Sequence, residues 1–537
     1  MITSKLLLEE GALISFRRNI ICYTCRWCCV FGRRFRSITT SIMPSLGITE
    51  YYAGKAIFIT GATGFMGKVL VEKLLRSCPE VKTIYILVRT KKGQSPVARL
   101  DKFLKSRVFE KLQAIDPKAC NKIRLVPGDI LQENLGLSVK DEEELLRECQ
   151  IVYNNAACVS FNLHIRLAVK MNTLGTQKVL KLAEKMTKLE VFVHVSTTFC
   201  HDDLDVVEEK LYPSKHNPQD IINMVDWMDD ETLTALQPEL IKPYPNTYGY
   251  SKCLTESLVS QYNGKFPIAI ARPSIVVPSL KEPMPGWLDN INGPSGVVYA
   301  ASRGVLRTIY CKDTTKLDTI CVDLAINAII ILTFLTGIEK PKDIRVCNLS
   351  QYGVKDITWV ECREHWSKYL SKYPLSLVLW YPSATAKNYK WEHKICEFFT
   401  HLVPAYLIDL LLFLLGKKTF MVRIIDRLTL GLEVLEYYNT RNWVFKNEYF
   451  KSLKHRITRE EDETFFTDFS NADLDLYMEN YVKGIREFYC KEDPSTIPQA
   501  KILHKRLYYL HVIVNIAFYA LCVYFLYWIV KKVSLVV

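Results

Sequence analysis

The sequence has no internal repeat and no low-complexity tract. That excludes solenoid, collagenous and wholly disordered architectures. It has no cysteine framework either. Its 17 cysteines are an odd number without regular spacing, which argues for a reducing, cytosol-facing environment and against a disulfide-stapled domain. One tight cluster exists, at Cys22, Cys25, Cys28 and Cys29. Cys22-x-x-Cys25 has the spacing of half a zinc site, but the other two cysteines follow with no loop to carry them round an ion. Lipidation or plain unstructured chain fits better, and no metal is expected. Charge is also scarce where it would matter for nucleic acid. The net charge is +13, yet residues 1–49 and 501–537 together hold +10 and leave +3 for residues 50–500. The excess sits on the ends and not on a folded face, which argues against a nucleic-acid binding surface, and no nucleic-acid partner is expected. The last 37 residues contain no acid at all. Basic ends of this kind suit anionic lipid or sorting signals.

What is present divides into four stretches. Residues 1–48 form a basic extension with Arg17, Arg18, Arg26, Arg33, Arg34 and Arg36. It reads as disordered or targeting sequence, with Met43 as an alternative start. Residues 50–350 alternate short apolar runs with helical patterns. The runs are Ala56–Ile59, Ile84–Val88, Ile123–Val126, Ile151–Tyr153, Val191–Val195 and Ile268–Ala271. Runs this short, separated by crossover-length segments, predict an α/β domain with a doubly wound parallel sheet of Rossmann type. Residues 355–495 predict a mostly helical C-terminal domain. Within it, Tyr406–Leu415 is apolar but short and holds Asp409, so it reads as a core helix or one dipping into a surface. Residues 510–530 form an apolar run without Lys, Arg, Asp or Glu. At about 1.5 Å per residue it is long enough for a transmembrane helix. Lys505, Arg506, Lys531 and Lys532 flank it, with Tyr508, Tyr509, Tyr527 and Trp528 near its ends, as interfacial anchors would be.

The first run leads into Gly61-Ala62-Thr63-Gly64-Phe65-Met66-Gly67. Glycines here allow a tight turn and close backbone approach to a pyrophosphate, and the helix that follows offers free N–H groups. Gly61, Thr63, Gly64, Phe65, Met66 and Gly67 are therefore cofactor-binding candidates. The spacing is that of extended short-chain reductases. The second run ends in Arg89, where an NAD enzyme would place an acid; a cation suits the 2′-phosphate of NADPH. Asp129 follows the third run and is placed to contact adenine. Asn155 and Ala156 follow the fourth, where small residues admit the cofactor. Tyr248-x-x-x-Lys252 puts a phenol and an ammonium on one helix face. The ammonium would ease ionisation of Tyr248, which would protonate a carbonyl oxygen as hydride arrives, while Lys252 also holds the nicotinamide ribose. Thr197 or Ser196, at the end of the fifth run, would hydrogen-bond the carbonyl. Cys200 and Cys253 lie close in sequence and leave a covalent thioester route open. His194 and His201 are expected to pack or face solvent.

These residues together resemble the alcohol-forming fatty acyl-CoA reductases. The likeness runs through Ile59–Leu70, Tyr85–Arg89, His194–Thr197, Tyr248-x-x-x-Lys252, Arg272–Val276 and Glu282–Pro294, then Pro404-Ala405, Asp409 and Gly416-Lys417-Lys418. Thr419 stands where the family pattern has proline. The resemblance implies reduction of long-chain acyl-CoA to a primary alcohol with two NADPH, through an aldehyde, with release of coenzyme A. It implies a membrane-lipid setting and leaves the oligomeric state open. With the C-terminal run it suggests a single-pass anchor on the peroxisome, endoplasmic reticulum or lipid droplet, the catalytic domain facing the cytosol. Two rival readings are a membrane-bound 3β-hydroxysteroid-type dehydrogenase and a catalytically dead tail-anchored scaffold. The first does not account for Pro283–Pro294. The second has no need of an intact Tyr248, Lys252 and three glycines.

Overall fold

The computed structural model describes residues 46–533. The Cys22–Cys29 cluster and Met43 lie outside the described residues.

Seven parallel strands form the central sheet: β1 (Ala56–Thr60), β2 (Thr83–Val88), β3 (Ile123–Pro127), β4 (Cys149–Asn154), β5 (Val191–Val195), β6 (Ile268–Pro273) and β7 (Arg345–Leu349). Their order is β3-β2-β1-β4-β5-β6-β7. The strands alternate between two apolar layers, as a period of two demands. Ile57, Ile59, Ile84, Ile86, Ile151 and Val193 pack on one face. Phe58, Tyr85, Leu87, Val152, Phe192 and Ile270 pack on the other. Six of the strands coincide with the apolar runs of the sequence. The seventh, Arg-Val-Cys-Asn-Leu, does not read as one. Its Asn348 is buried because it donates to the carbonyls of Val207 and Lys446.

Six helices matter to the site. Helix α1 (Phe65–Ser77) leaves the glycine turn, α2 (Thr247–Ser260) carries the Tyr-Lys pair, and α3 (Val322–Glu339) is apolar on all sides and buried behind the sheet. In the C-terminal region, α4 (Val403–Leu414) and α5 (Met421–Asn439) form a hairpin, and α6 (Ile497–Val533) is the last helix. The sequence expectation of a core or surface-dipping helix at Tyr406–Leu415 resolves against the core: of α4 only Ala405 is buried. Asp409 projects from it to the start of α5, accepting from the backbone N–H groups of Phe420, Met421 and Val422 at 2.9, 2.9 and 3.0 Å. The last helix begins 13 residues before the predicted span, and only Ala500 and His504 in it are buried.

The Glu282–Pro294 stretch braces α1. Glu282 accepts ion pairs from Lys73 and Arg76 at 2.6 and 2.9 Å, Trp287 stacks on Phe65, and Asp289 pairs with Lys68 at 2.8 Å.

Candidate active site

A doubly wound sheet opens a crevice beyond the carboxyl ends of its strands, at the point where strand order reverses. Here that point lies between β1 and β4. A cavity of about 1080 Å³ occupies it and runs on towards the C-terminal helices. Every sequence-predicted site residue except Gly67 lines it: Gly61, Thr63, Gly64, Phe65, Met66, Arg89, Asp129, Asn155, Ala156, Ser196, Thr197, Tyr248 and Lys252.

The glycine turn is built for close approach. Gly61 has a φ of +71°, and a Cβ there would lie 2.8 Å from the backbone of Asn155 and Ala156. A Cβ on Gly67 would lie 2.3 Å from the Gly61 carbonyl oxygen, so Gly67 serves the packing of α1 on the turn and does not line the cavity. Thr60 ties β1 to β4 below it: its hydroxyl donates to Asn154 Oδ1 at 2.9 Å and accepts from Ala156 N–H at 3.1 Å. This cradle fits a dinucleotide pyrophosphate.

Two arginines flank the far side. Arg89 faces Asp129 at 3.5 Å. Arg99, which sequence reasoning missed, donates to the Arg89 carbonyl at 2.7 Å and to Thr63 Oγ1 at 3.0 Å. Burial and the neighbouring Arg89 charge both push its pKa down. A pair of crowded guanidiniums beside one carboxylate retains positive charge for an anionic group.

Helix α2 presents the other wall. Asn246 caps it by accepting from Gly249 N–H at 3.0 Å. Tyr248 sits in the first turn and lines the cavity together with Thr197. Lys252, one turn on, is buried and donates to the Val195 carbonyl at 2.8 Å. Burial lowers its pKa to about 8 against smaller opposing effects of Cys200 and Glu256. Lys252 is not among the largest influences on the Tyr248 pKa. Burial dominates and raises the Tyr248 pKa, with Thr197 opposing. Ser196 Oγ is buried without a partner, whereas Thr197 also caps the following turn by accepting from Phe199 N–H at 3.3 Å.

Beneath Lys252 lies a charge network. Arg272 and Glu256 are fully buried and paired at 2.6 Å. Cys200 donates its S–H to Glu256 at 3.2 Å, and His201 lies 3.5 Å from it. Cys200, His201 and Glu256 are close enough together to suggest a metal site, but the Arg272 guanidinium already engages both Glu256 oxygens. The cysteine route finds no support in this geometry. Neither Cys200 nor Cys253 lines the cavity. Burial pushes both thiols up, Cys253 to about 12, away from nucleophilic thiolate. His194 and His201 are both buried; His194 is held neutral by burial, its pKa lowered to about 3.

The C-terminal region completes the cavity. From α5, Tyr438 stacks on Phe161, whose ring meets Tyr248 edge-on at 5.6 Å. The Tyr438 hydroxyl donates to Asp202 at 2.9 Å and accepts from Asn246 at 2.8 Å. Leu428, Leu432 and Leu435 of the same helix, with Trp359, Trp366 and Tyr477, give the far end an apolar lining.

This is the build of an extended short-chain dehydrogenase/reductase, an oxidoreductase with a nicotinamide-dinucleotide domain. Residues 59–329 match a family described as "Male sterility protein", and residues 400–492 match a second family of the same description. Fatty acyl-CoA reductase 1 of Xenopus laevis is 38% identical over 458 residues, covering 85% of this chain and 88% of that protein. Fatty acyl-CoA reductase 2 of Bos taurus is 37% identical over 472 residues, covering 88% and 92%. The chain belongs to the fatty acyl-CoA reductase family. Its fold is shared with the reductase domain of a non-ribosomal peptide synthetase from Mycobacterium tuberculosis, at a TM-score of 0.55 and 17% identity, covering 83% of this chain and 94% of that one.

Proposed function

We propose that the protein reduces long-chain fatty acyl-CoA to a primary alcohol at the expense of two NADPH, releasing coenzyme A, from a membrane-anchored position with its catalytic body in the cytosol. One observation carries the reading: Tyr248, Thr197 and Lys252 stand where a dinucleotide cradle meets an apolar cavity closed by the C-terminal helices. When bound, NADPH supplies the hydride. The chain's residues do the rest. Arg89 and Arg99 hold the 2′-phosphate, Asp129 the adenosine end, and Asn155 and Ala156 admit the dinucleotide backbone. Lys252 holds the nicotinamide ribose.

Thr197, or Ser196 with its free hydroxyl, orients the thioester carbonyl. Tyr248 protonates its oxygen as hydride reaches carbon, giving a hemithioacetal. Collapse of that intermediate breaks the C–S bond and frees coenzyme A with its proton, leaving an aldehyde. Leucines and aromatic rings of the cavity retain the aldehyde, and Tyr248 protonates its oxygen in a second round after the cofactor is exchanged. An anchor at α6 places the apolar product beside the lipid. Peroxisome, endoplasmic reticulum and lipid-droplet membranes all suit it.

Following NADPH oxidation, free thiol and lipid product together tests the proposal. Two NADPH per thiol with alcohol is the expected result. One NADPH with aldehyde would reduce the protein to a partial reductase, and no turnover with any acyl-CoA from a folded, NADPH-binding protein would sink the reading.

A further inference from the structure

Three helices of the described chain are long and apolar enough to cross a membrane by length and composition. One is α3, inside the core. One contains α6. The third is the segment Lys390–Leu414, which ends in α4, and neither the site nor the anchor accounts for it. Its two halves differ. The first is fastened to the protein through polar side chains. His401 accepts from Arg307 N–H at 2.8 Å, His393 bonds the Thr308 hydroxyl at 3.1 Å, and Glu397 accepts from Thr429 at 3.1 Å. The second half, α4, presents a bare face. Leu407, Leu410, Leu411, Phe413, Leu414 and Leu415 are each between 54 and 71% exposed, far beyond the scattered apolar residues of an ordinary surface. A segment held along one side by buried histidines cannot cross a bilayer without tearing those bonds out. It can lie in one.

Three observations identify lipid as the occupant. Phe399, which precedes α4, contacts Phe518 in the middle of the predicted α6 span, with ring centroids 5.9 Å apart. The bare face is thus continuous with the anchor. Exposed Lys417, Lys418 and Arg423 follow directly at the end of the leucines, where phosphate headgroups would sit. The one acid on the helix, Asp409, is occupied by three backbone N–H groups of α5. Finally, α4 packs on the helix that walls the cavity. Ala405 and Leu402 cluster with Met421, Ile425 and Leu428, and Leu428 and Gly431 of α5 face the cavity. Gly431 sits inside a helix with open space where a side chain would be.

We propose that the bare face of α4 is a bilayer-insertion surface, separate from the α6 anchor, which seats the cavity mouth at the membrane so that acyl chains enter sideways from lipid. The proposal rests on the anchored reading above but fails separately from it. The full chain would be reconstituted in phosphatidylcholine vesicles holding a trace of phosphatidylcholine with a diazirine in its acyl chain. After illumination, lipid adducts would be mapped by peptide mass spectrometry. Adducts on 403–415 as well as on 510–530 are expected. Adducts on 510–530 alone overturn the proposal and leave the anchor intact; adducts on neither overturn both. Protection of α4 from hydrogen exchange without lipid adducts would mean that a second copy covers it, which also overturns the proposal. A Leu411→Glu/Leu414→Glu variant changes only exposed side chains, so its NADPH affinity should hold. Its adduct yield on 403–415 should fall at least about tenfold, because carboxylates are strongly disfavoured in hydrocarbon, while that on 510–530 stays. An unchanged yield on 403–415 overturns the proposal.

Discussion

Tyr248 shows how strongly burial bears on a single residue. A lysine four residues away suggests an acidified phenol; Lys252 donates to the Val195 carbonyl, and burial is the largest influence on the Tyr248 pKa, raising it. Tyr248→Phe should lower turnover by about 10²-fold or more, the usual worth of a positioned acid, while NADPH affinity measured by fluorescence titration changes little. Lys252 makes a pH prediction. Its pKa of about 8 lies below the ordinary 10.5, so the folded protein sheds this proton first. Between those values only the unfolded chain keeps it, and this residue's contribution to stability rises with pH across that window. Cofactor binding should go the other way. On the proposed role of Lys252, the ammonium that would hold the ribose is lost above about pH 8, and NADPH affinity should fall by up to tenfold per pH unit, as one proton's linkage allows. A flat affinity profile from pH 7 to 10 would remove Lys252 from that role. Tyr248, Lys252 and the glycines could be found in the sequence because each lies in a short motif. Arg99 could not, because it meets Thr63 across 36 residues. Asn246 could have been noticed as a cap residue directly ahead of the Tyr-Lys helix.

At the level of elements, burial decided what could be read. Six strands announce themselves as apolar runs because both sheet faces are covered. The seventh hides because Asn348 is polar for reasons lying elsewhere in the chain, at Val207 and Lys446. Helix α4 was hard to place for the opposite reason: leucines normally signal a core, and nothing local says that these face outward. The turn from β1 into α1 yields a direct test. In Gly67→Ala the new methyl would press on the Gly61 carbonyl and the Ala62 backbone, at 2.3 and 2.6 Å. Helix α1 must then move off the turn. NADPH affinity should drop at least about tenfold, or about 1.4 kcal/mol, by isothermal titration; unchanged affinity would separate α1 packing from cofactor binding.

Across the whole molecule, the Tyr-Lys helix α2 and the C-terminal hairpin meet through single side chains. Tyr438 reaches Asn246 across 192 residues of sequence, so no local pattern could have paired them. Asp202, which accepts from Tyr438, has its pKa raised to about 7 by burial and depends on that hydroxyl. Tyr438→Phe leaves Asn246 and Asp202 short of a partner, and such losses cost about 1–3 kcal/mol each when buried. Thermal unfolding should fall accordingly, and kcat should fall with it, since Asn246 caps the helix that holds Tyr248. A variant with wild-type stability and turnover would show that the two regions work independently.

The length of α6 sets a distance. Its 37 residues extend about 55 Å at 1.5 Å per residue, whereas the hydrocarbon layer takes up only about 30 Å. The surplus is a rigid post. It is joined to the body where Tyr381 stacks on His504 and His511 and where Trp380 donates to His511. On the proposed anchoring, α6 fixes a depth: because the body grips it at His504, at His511 and, through Phe399, at Phe518, the leucines of α4 are carried to the level of the lipid by the anchor itself, whatever occupies the active site.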